Sequence, residues 1–372
     1  MKRLSLIFTG GTIAMVRGKD DVLRPPADPK EFARAVPQIF EKHEISLNFA
    51  LNKDSTDMVP EDWEKITAAI INEYKVNTPN GIIVVHGVDT ICFTASAVAY
   101  ALGPKLNFPV VFTGAQLPAD RSHGDGLINL LRSAEIASSD GDFRVNEVMV
   151  FFNTKAFRAC RAQKQDDKDF DALNSPAFPP LVQVKDPLEI SFLKKNKSDY
   201  SEKPGYLNKF STGIIPIPLS PGNDANIHMN ILESDQCKGI ILFSFGGHTI
   251  PTFKERHNYL PFITEAKKQK IPVLIASHYP TVTTKPDLYE SGIRAQEAGA
   301  IPVSGYVLPA LIAKFSWILA YTDHVDDFNK RNNTIETVLS EPYVGEIGDK
   351  IFSSQKVSKT MFELYEKMSN TN

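Results

Sequence analysis

Three short segments set hydroxyls, carboxylates and glycines at spacings that chemistry could use. In Thr9-Gly10-Gly11-Thr12-Ile13-Ala14, two glycines let the backbone turn sharply and approach a ligand, with a hydroxyl directly after them. A hydroxyl held near free backbone N–H donors is a candidate nucleophile. The same residues also suit a tight turn whose threonines bond local backbone. The glycine spacing is not that of a dinucleotide fingerprint, and no Gly-rich segment ends in Gly-Lys-Ser or Gly-Lys-Thr.

Ser55-Thr56-Asp57 and His86-Gly87-Val88-Asp89-Thr90 supply two carboxylates, of which Asp89 reads as buried. Together they could clamp a small polar ligand such as the α-amino group of an amino acid. Taken singly, Asp57 could serve a turn and Asp89 a helix N-cap. His86 is a base by residue type alone. The eight histidines are scattered without a His-x-x-x-His pair, so no metal site is expected. Arg158, Arg161, Lys164 and Lys168 form a basic run. A lysine desolvated beside a carboxylate can carry a proton, although a solvated basic face is the ordinary use of such residues.

These segments lie at the ends of expected strands. Leu4–Phe8, Ile45–Ala50, Gly81–His86, Pro109–Thr113 and Glu147–Phe152 read as strands. The intervening helices are expected near Pro29–Phe40, Pro60–Tyr74, Thr90–Leu102 and Asp125–Ser138. Runs such as Ile82-Ile83-Val84-Val85 do not alternate with polar residues, which suits parallel strands covered on both faces. In an open parallel sheet the C-terminal strand ends are the favoured ligand site. After a polar stretch the alternation resumes, with strands at Ile214–Leu219, Gly239–Ser244 and Ile271–Ala276. Helices follow near His257–Lys268, Leu288–Ala298 and Leu308–Tyr321. The expected organisation is an α/β fold with a larger N-terminal domain at 1–188, built on a mostly parallel sheet with flanking helices. A linker at 189–210, a smaller α/β domain at 211–348 and a helical tail at 349–372 complete it.

Composition narrows the class of function. A length of 372 residues accommodates two domains, and 42% hydrophobic with 23% charged residues is ordinary for a globular protein. A net charge of −3 gives no electrostatic reason to expect nucleic acid. Cys92, Cys160 and Cys237 are too few and too widely spaced for a disulfide framework, and read as buried thiols of a reducing compartment. Met-Lys-Arg passes directly into Leu4–Phe8, too short a run for a signal peptide, and nothing approaches the roughly 20 apolar residues that span a bilayer. A cytoplasmic location without membrane attachment is the expectation.

Taken together, TGGTIA at 9–14, STDM at 55–58, HGVDT at 86–90, TGAQ at 113–116 and RACRAQK at 158–164 resemble the bacterial-type L-asparaginase family, in particular its cytoplasmic type I branch. Thinner likeness continues through Asn174-Ser175-Pro176, Pro179-Pro180-Leu181, Gly246–Pro251, Tyr289–Gly299 and Gly345-Glu346-Ile347. The resemblance implies hydrolysis of asparagine, and more weakly of glutamine, to the acid and ammonia, with no cofactor or metal. It also implies a two-domain fold and a homo-oligomer, a dimer or a tetramer made of two dimers. By the same resemblance Thr12 is the nucleophile, Asp89 and Lys164 are its catalytic partners, and Ser55 and Asp57 hold the α-carboxylate and α-amine of the amino acid. Gly11, Asp54, Thr56, Gly87, Val88 and Ala115 are the further substrate-contact positions.

Three departures stand out. The family's relay threonine is replaced by Val88, which nearly matches its volume but can neither donate nor accept a hydrogen bond. No tyrosine occurs from Met1 through Glu73, where one near Val22 or Leu23 assists the nucleophile in some members. Tyr306-Val307-Leu308 stands where effector-regulated members tend to show an Asp-Met-Thr-like element, and Ser277-His278-Tyr279 is also atypical. The expectation is a site that binds an amino acid and turns it over poorly, or a binding or regulatory protein without turnover. An ammonia-supplying subunit for transfer-RNA amidation is disfavoured, because the sequence starts at its first strand with no preceding docking domain.

Overall fold

The computed structural model describes residues 1–17, 23–24, 32, 34, 36–117, 124–186, 189–192, 206–253, 255–280 and 289–348. The chain divides into two compact units that change over between Asn208 and Lys209.

In the first unit, the apolar runs become strands β1 (Lys2–Gly10), β4 (His43–Lys53), β5 (Gly81–Val85), β6 (Val110–Thr113) and β7 (Val148–Phe152). Two-residue strands β2 (Val16–Arg17) and β3 (Leu23–Arg24) pair with each other beyond β1. β4, β1, β5, β6 and β7 pair in parallel. The sheet then continues antiparallel through β8 (Lys155–Arg158), β11 (Val182–Asp186) and β12 (Glu189–Phe192), with the short hairpin β9 (Gln163–Lys164) and β10 (Leu173–Asn174) beside it in sequence. The spatial order is β12-β11-β8-β7-β6-β5-β1-β4.

The mostly parallel expectation therefore holds for one part of the sheet, and the antiparallel edge is an addition. The segment 189–210, read as a linker, begins with a strand of this sheet. The polar run at 194–199 obscured the short alternating stretch before it. The 349–372 tail, expected to be helical, lies outside the described residues.

Helices α1 (Gln38–Lys42), α2 (Pro60–Asn77), α3 (Ile91–Leu102) and α4 (Asp125–Ala137) connect the strands. Of the expected Pro29–Phe40 helix, α1 contains the end, while 29–31, 33 and 35 lie outside the described residues. Leu4, Leu6, Phe8, Ile83, Val85, Val111, Met149 and Phe151 form one core with Ile39, Leu130 and Ala134. Strand alternation sends Ile7, Ile82, Val84, Phe112 and Val150 to the opposite face, where they are also fully buried. Both faces are covered, which is why the interiors of these strands are mostly apolar, with Ser5, Thr9 and Thr113 as buried hydroxyl residues.

The order of the strands positions the site. From β1 the chain passes to β4 on one side, and then returns across to β5 on the other before continuing to β6. Strand β1 is thus a topological switch point, where the loops at neighbouring C-terminal ends diverge and leave a crevice.

The second unit is a four-stranded parallel sheet, β13 (Ile214–Pro218), β14 (Gly239–Ser244), β15 (Val273–Ser277) and β16 (Ile301–Val303), in that order. One face packs against α5 (Ala225–Leu232), α6 (Leu260–Lys268) and α7 (Glu290–Ala298) through Ile217, Leu242, Ile275, Leu232, Phe262 and Ala295. Helix α8 (Leu308–Thr322) approaches so closely that a Cβ on Gly239 would lie 2.6 Å from Phe315 Cε1. The last described helix is α9 (Phe328–Ser340). Helix α5, strand β16 and helix α9 were not foreseen: each is short or polar enough to lack a clear period. Among the described residues, no helix is long and apolar enough to cross a membrane.

Candidate active site

Four loops follow the C-terminal ends of the adjacent strands β6, β5, β1 and β4, and they contain the candidate residues other than Lys164, which lies on β9. The β1 loop is a turn of 3-10 helix, Thr12–Ala14, entered through Gly11 with φ 87°. Its glycines answer a packing need. A Cβ on Gly10 would lie 2.1 Å from Lys53 O, and one on Gly11 would lie 2.5 Å from Gly87 N. The contact between Gly11 and Gly87 sets the Thr12 loop directly against the β5 loop. Thr12 is half-buried.

The β5 loop is tied in two directions. A Cβ on Gly87 would lie 2.6 Å from Ser55 Oγ, and Thr90 Oγ1 donates to Ser55 O at 2.6 Å. Ser55 is thereby buried at 3% exposure. On its other side, Val88 Cγ2 would lie 3.0 Å from a Cβ on Gly114, so the TGAQ loop with Ala115 packs against Val88. Val88 and Ala115 are both buried. Thr9 Oγ1 donates to Val85 O at 2.9 Å and Thr113 Oγ1 to Phe151 O at 3.0 Å, so buried threonines pin adjacent strand ends.

The β4 loop divides its acidic residues between two jobs. Asp54 accepts from the Thr56 N–H and the Thr56 hydroxyl, each at 2.9 Å, and caps the 3-10 turn Ser55–Asp57. The backbone hydrogen bond from Thr56 holds the Asp54 carboxyl below its ordinary value. Asp54 and Thr56, named as substrate contacts, are thus occupied with each other. Asp57 is exposed, and among the described residues its carboxylate has no partner. The turn that the sequence allowed Asp57 to serve is capped by Asp54.

Asp89 departs from the buried position expected of it: its side chain is 54% exposed. Nor does it cap α3, whose N-cap is Thr90. Instead Lys164 Nζ lies 2.6 Å from Asp89 Oδ1 and 2.6 Å from Asp167 Oδ1. Burial alone lowers the proton affinity of Lys164, but its hydrogen bonds to Asp167 and Asp89 outweigh that effect and raise it above its ordinary value. The basic run separates into different roles. Arg158 makes a bidentate pair with Glu147 at 2.6 and 3.0 Å, and the Arg161 guanidinium stacks 3.4 Å above the Phe178 ring.

His86 faces the core. It is fully buried, and its Nδ1 lies 2.8 Å from Gly87 O; because a carbonyl can only accept, Nδ1 carries the proton. Its Nε2 has no partner among the described residues, and burial pushes the imidazole down to about 4. It is not placed to serve as a base. Cys92, also fully buried, is pushed up to about 12 by burial and stays a neutral thiol. No group of three or more His, Cys, Asp or Glu that could hold a metal ion occurs among the described residues.

Sequence reasoning missed the residues that hold the TGAQ loop. Asp125 accepts from Gln116 N at 3.0 Å and from Leu117 N at 2.9 Å. Asn129 donates to Gly114 O at 2.9 Å and accepts from Asn153 N at 3.0 Å. Both lie one turn apart on α4 and are buried. On an amphipathic helix such polar residues read as its wet face, and nothing in their spacing marks them as buried.

In the second unit, Tyr306 and Val307 of the Tyr306-Val307-Leu308 segment are packed, while Leu308 is 40% exposed. Tyr306 is 6% exposed, donates to Leu339 O at 2.7 Å and accepts from Lys314 Nζ at 2.9 Å. Val307 is buried at 3% exposure.

The family model described as Asparaginase, N-terminal matches residues 3–197. The chain is 29% identical over 354 residues to L-asparaginase 1 of Escherichia coli strain K12, covering 93% of this chain and 98% of that one. It is 28% identical over 357 residues to a subunit of the Glutamyl-tRNA(Gln) amidotransferase of Pyrococcus abyssi, covering 93% of this chain and 77% of that one. Among solved structures, the thermostable L-asparaginase from Thermococcus kodakarensis superposes with TM-score 0.81 at 25% identity, covering 94% of this chain and all of that one. L-asparaginase I from Vibrio cholerae superposes with TM-score 0.77 at 24% identity, covering 93% of this chain and 99% of that one, which shows the shared fold.

Proposed function

The chain belongs to the asparaginase family and has its two-domain α/β fold, and from that premise we propose that it is an amidohydrolase of L-asparagine or L-glutamine whose turnover is impaired by Val88. Thr12 Oγ1 attacks the side-chain amide carbon, ammonia leaves, and water hydrolyses the resulting ester to aspartate and free Thr12. N–H groups of Thr12 or Val88 and their neighbours take the developing oxyanion charge. Ser55 and the unpartnered Asp57 hold the α-carboxylate and α-amine, with Asp89 completing the clamp on the amine.

The observation that carries this reading is the Asp89–Lys164 contact beside a residue that cannot join it. The carboxylate and ammonium are 2.6 Å apart, while buried Val88 presents only methyl groups where a hydroxyl would complete a relay. Loss of a positioned proton-transfer group costs about 10²- to 10⁴-fold. The reading includes the type I branch, a cytoplasmic location and a homo-oligomer, a dimer or a tetramer, with no cofactor. Val88 also favours a second reading, an amino-acid-binding protein without turnover.

One experiment separates them. The protein is mixed with L-asparagine, quenched in acid and examined by intact-mass and peptide mass spectrometry, alongside calorimetry with L-aspartate. The amidohydrolase reading expects an ester on Thr12, absent in Thr12→Val, together with L-aspartate binding. Binding without ester or ammonia supports the second reading, and absence of both overturns the assignment.

A further inference from the structure

Lys164 has one carboxylate more than a proton relay needs. Asp167 Oδ1 lies as close to its Nζ as Asp89 Oδ1 does, 2.6 Å in each case. The loop that presents Asp167 is built for the purpose by its own hydrogen bonds. Asp166 Oδ1 accepts from Lys168 N at 2.7 Å and Asp169 N at 2.8 Å, and Asp169 Oδ1 accepts from Asp171 N at 3.0 Å. Asp171 in turn pairs with Lys155 at 2.9 Å, and Gln165 N donates to Ala172 O at 2.8 Å, closing the loop above the β9–β10 hairpin. The loop backbone thereby sets Asp167 three residues from Lys164, on the wall of an open cavity of about 470 Å³, with its side chain 87% exposed and Lys164 Nζ as its partner.

We infer that Asp167 is a positioning residue that, together with Val88, turns Lys164 from a proton carrier into a fixed ammonium group whose task is to hold Asp89 for the substrate amine. The inference rests on the amidohydrolase reading above. An amine can accept a proton from a neighbouring hydroxyl only in its neutral form. Two carboxylates at hydrogen-bond distance stabilise the charged form instead, and the raised proton affinity of Lys164 agrees with that geometry. The other groups that bear on Lys164 do not reverse it. Cys92 stays a neutral thiol, Asp166 is a further carboxylate, and Val88 offers no donor or acceptor. Asp89, Asp167 and Lys164 together bear one net negative charge, which suits an ammonium ligand. Val88 and Asp167 then act in the same direction: the first offers no hydroxyl, and the second disfavours the neutral amine to which a hydroxyl would hand its proton.

Two measurements on the full chain test this. In protein labelled with ¹³C at lysine Cε, with the Lys164 signal assigned through Lys164→Arg, the titration midpoint of Lys164 is expected to fall by about half a pH unit or more in Asp167→Asn. An unchanged midpoint overturns the inference. In ammonia-release assays with L-asparagine, Val88→Thr/Asp167→Asn is expected to exceed Val88→Thr by about tenfold in kcat with little change in KM. The acid limb of its kcat profile moves to lower pH, and Val88→Thr/Asp167→Glu returns to the slower rate. Equal kcat values in the first two variants overturn the inference. If Val88→Thr and the double variant both release no ammonia, the amidohydrolase reading has failed, and the titration alone decides whether Asp167 fixes the charge on Lys164.

Discussion

Asp89 and Lys164 are 75 positions apart in sequence, and the fold brings the Lys164 Nζ to 2.6 Å from Asp89 Oδ1. One residue before Asp89, Val88 packs its methyl group against Gly114. On the proposed reading, Asp89 and Lys164 are the charged pair of an amidohydrolase relay, and Val88 stands at the position that would supply its hydroxyl. Geometry of this kind separates holding a substrate from turning it over, and each half can be probed alone.

Gly87→Ala probes the holding half. The added Cβ would meet Ser55 Oγ at 2.6 Å and must displace it, because Thr90 fixes the backbone of Ser55 from the other side. The variant is expected to fold and to bind L-aspartate about tenfold or more weakly by calorimetry, a loss of about 1.4 kcal/mol. Unchanged affinity would remove Ser55 from the binding site.

Asn129→Ala tests the support of the TGAQ loop. It leaves the buried Gly114 O and the Asn153 N–H without their partner, at a cost of about 1–3 kcal/mol in denaturant unfolding. KM is expected to rise with it, since Ala115 belongs to the same loop.

His86 predicts an acid-side weakness. Its folded value near 4 lies below the 6.5 of the unfolded chain, so acidification protonates the unfolded state first. Its contribution is full above pH 6.5 and is lost as pH falls toward about 4, a change of about 3 kcal/mol. His43, His228 and His248 are also lowered, chiefly by burial, and add to the slope. In His86→Leu, the fall in urea stability between pH 6.5 and 4.5 is expected to shrink by about one proton's worth relative to the original chain.

The second unit has its own weak point in the buried pair of Lys314 and Glu346, both fully inaccessible. Burial raises the Glu346 carboxyl, but the Lys314 ammonium and the Glu346 and Val344 N–H groups outweigh it, so its proton affinity is lowered and it stays ionised. Glu346→Gln strands the Lys314 charge and is expected to cost about 3–5 kcal/mol in unfolding of this unit. Thr12 ester formation, read by mass spectrometry at a temperature where both proteins are folded, is the companion measurement.

Much of this was legible before any coordinates. The runs at Leu4–Phe8 and Gly81–His86 announced covered parallel strands because every residue in them is apolar or small, His86 apart, and their loops announced a site because glycines, hydroxyls and carboxylates recur at successive strand ends. The antiparallel additions were not legible: Lys155–Arg158 and Glu189–Phe192 are four-residue strands in polar surroundings. The exposure of Asp89 and the occupation of Asp54 by Thr56 depend on loop geometry that residue types do not specify. Asp167 was one acid among several in its loop. Its importance comes from a turn held by Asp166, a relationship between neighbours that neither periodicity nor motif spacing records.

The most direct test of the account is ammonia release from L-asparagine by the chain as it stands and by Val88→Thr, at matched concentration and saturating substrate. Slow release by the original, with a gain of about 10²-fold or more on placing a hydroxyl beside Asp89 and Lys164, is the expected result. Release by the original at rates ordinary for amidohydrolases, about 1–10³ per second, with no gain from the substitution, would contradict it.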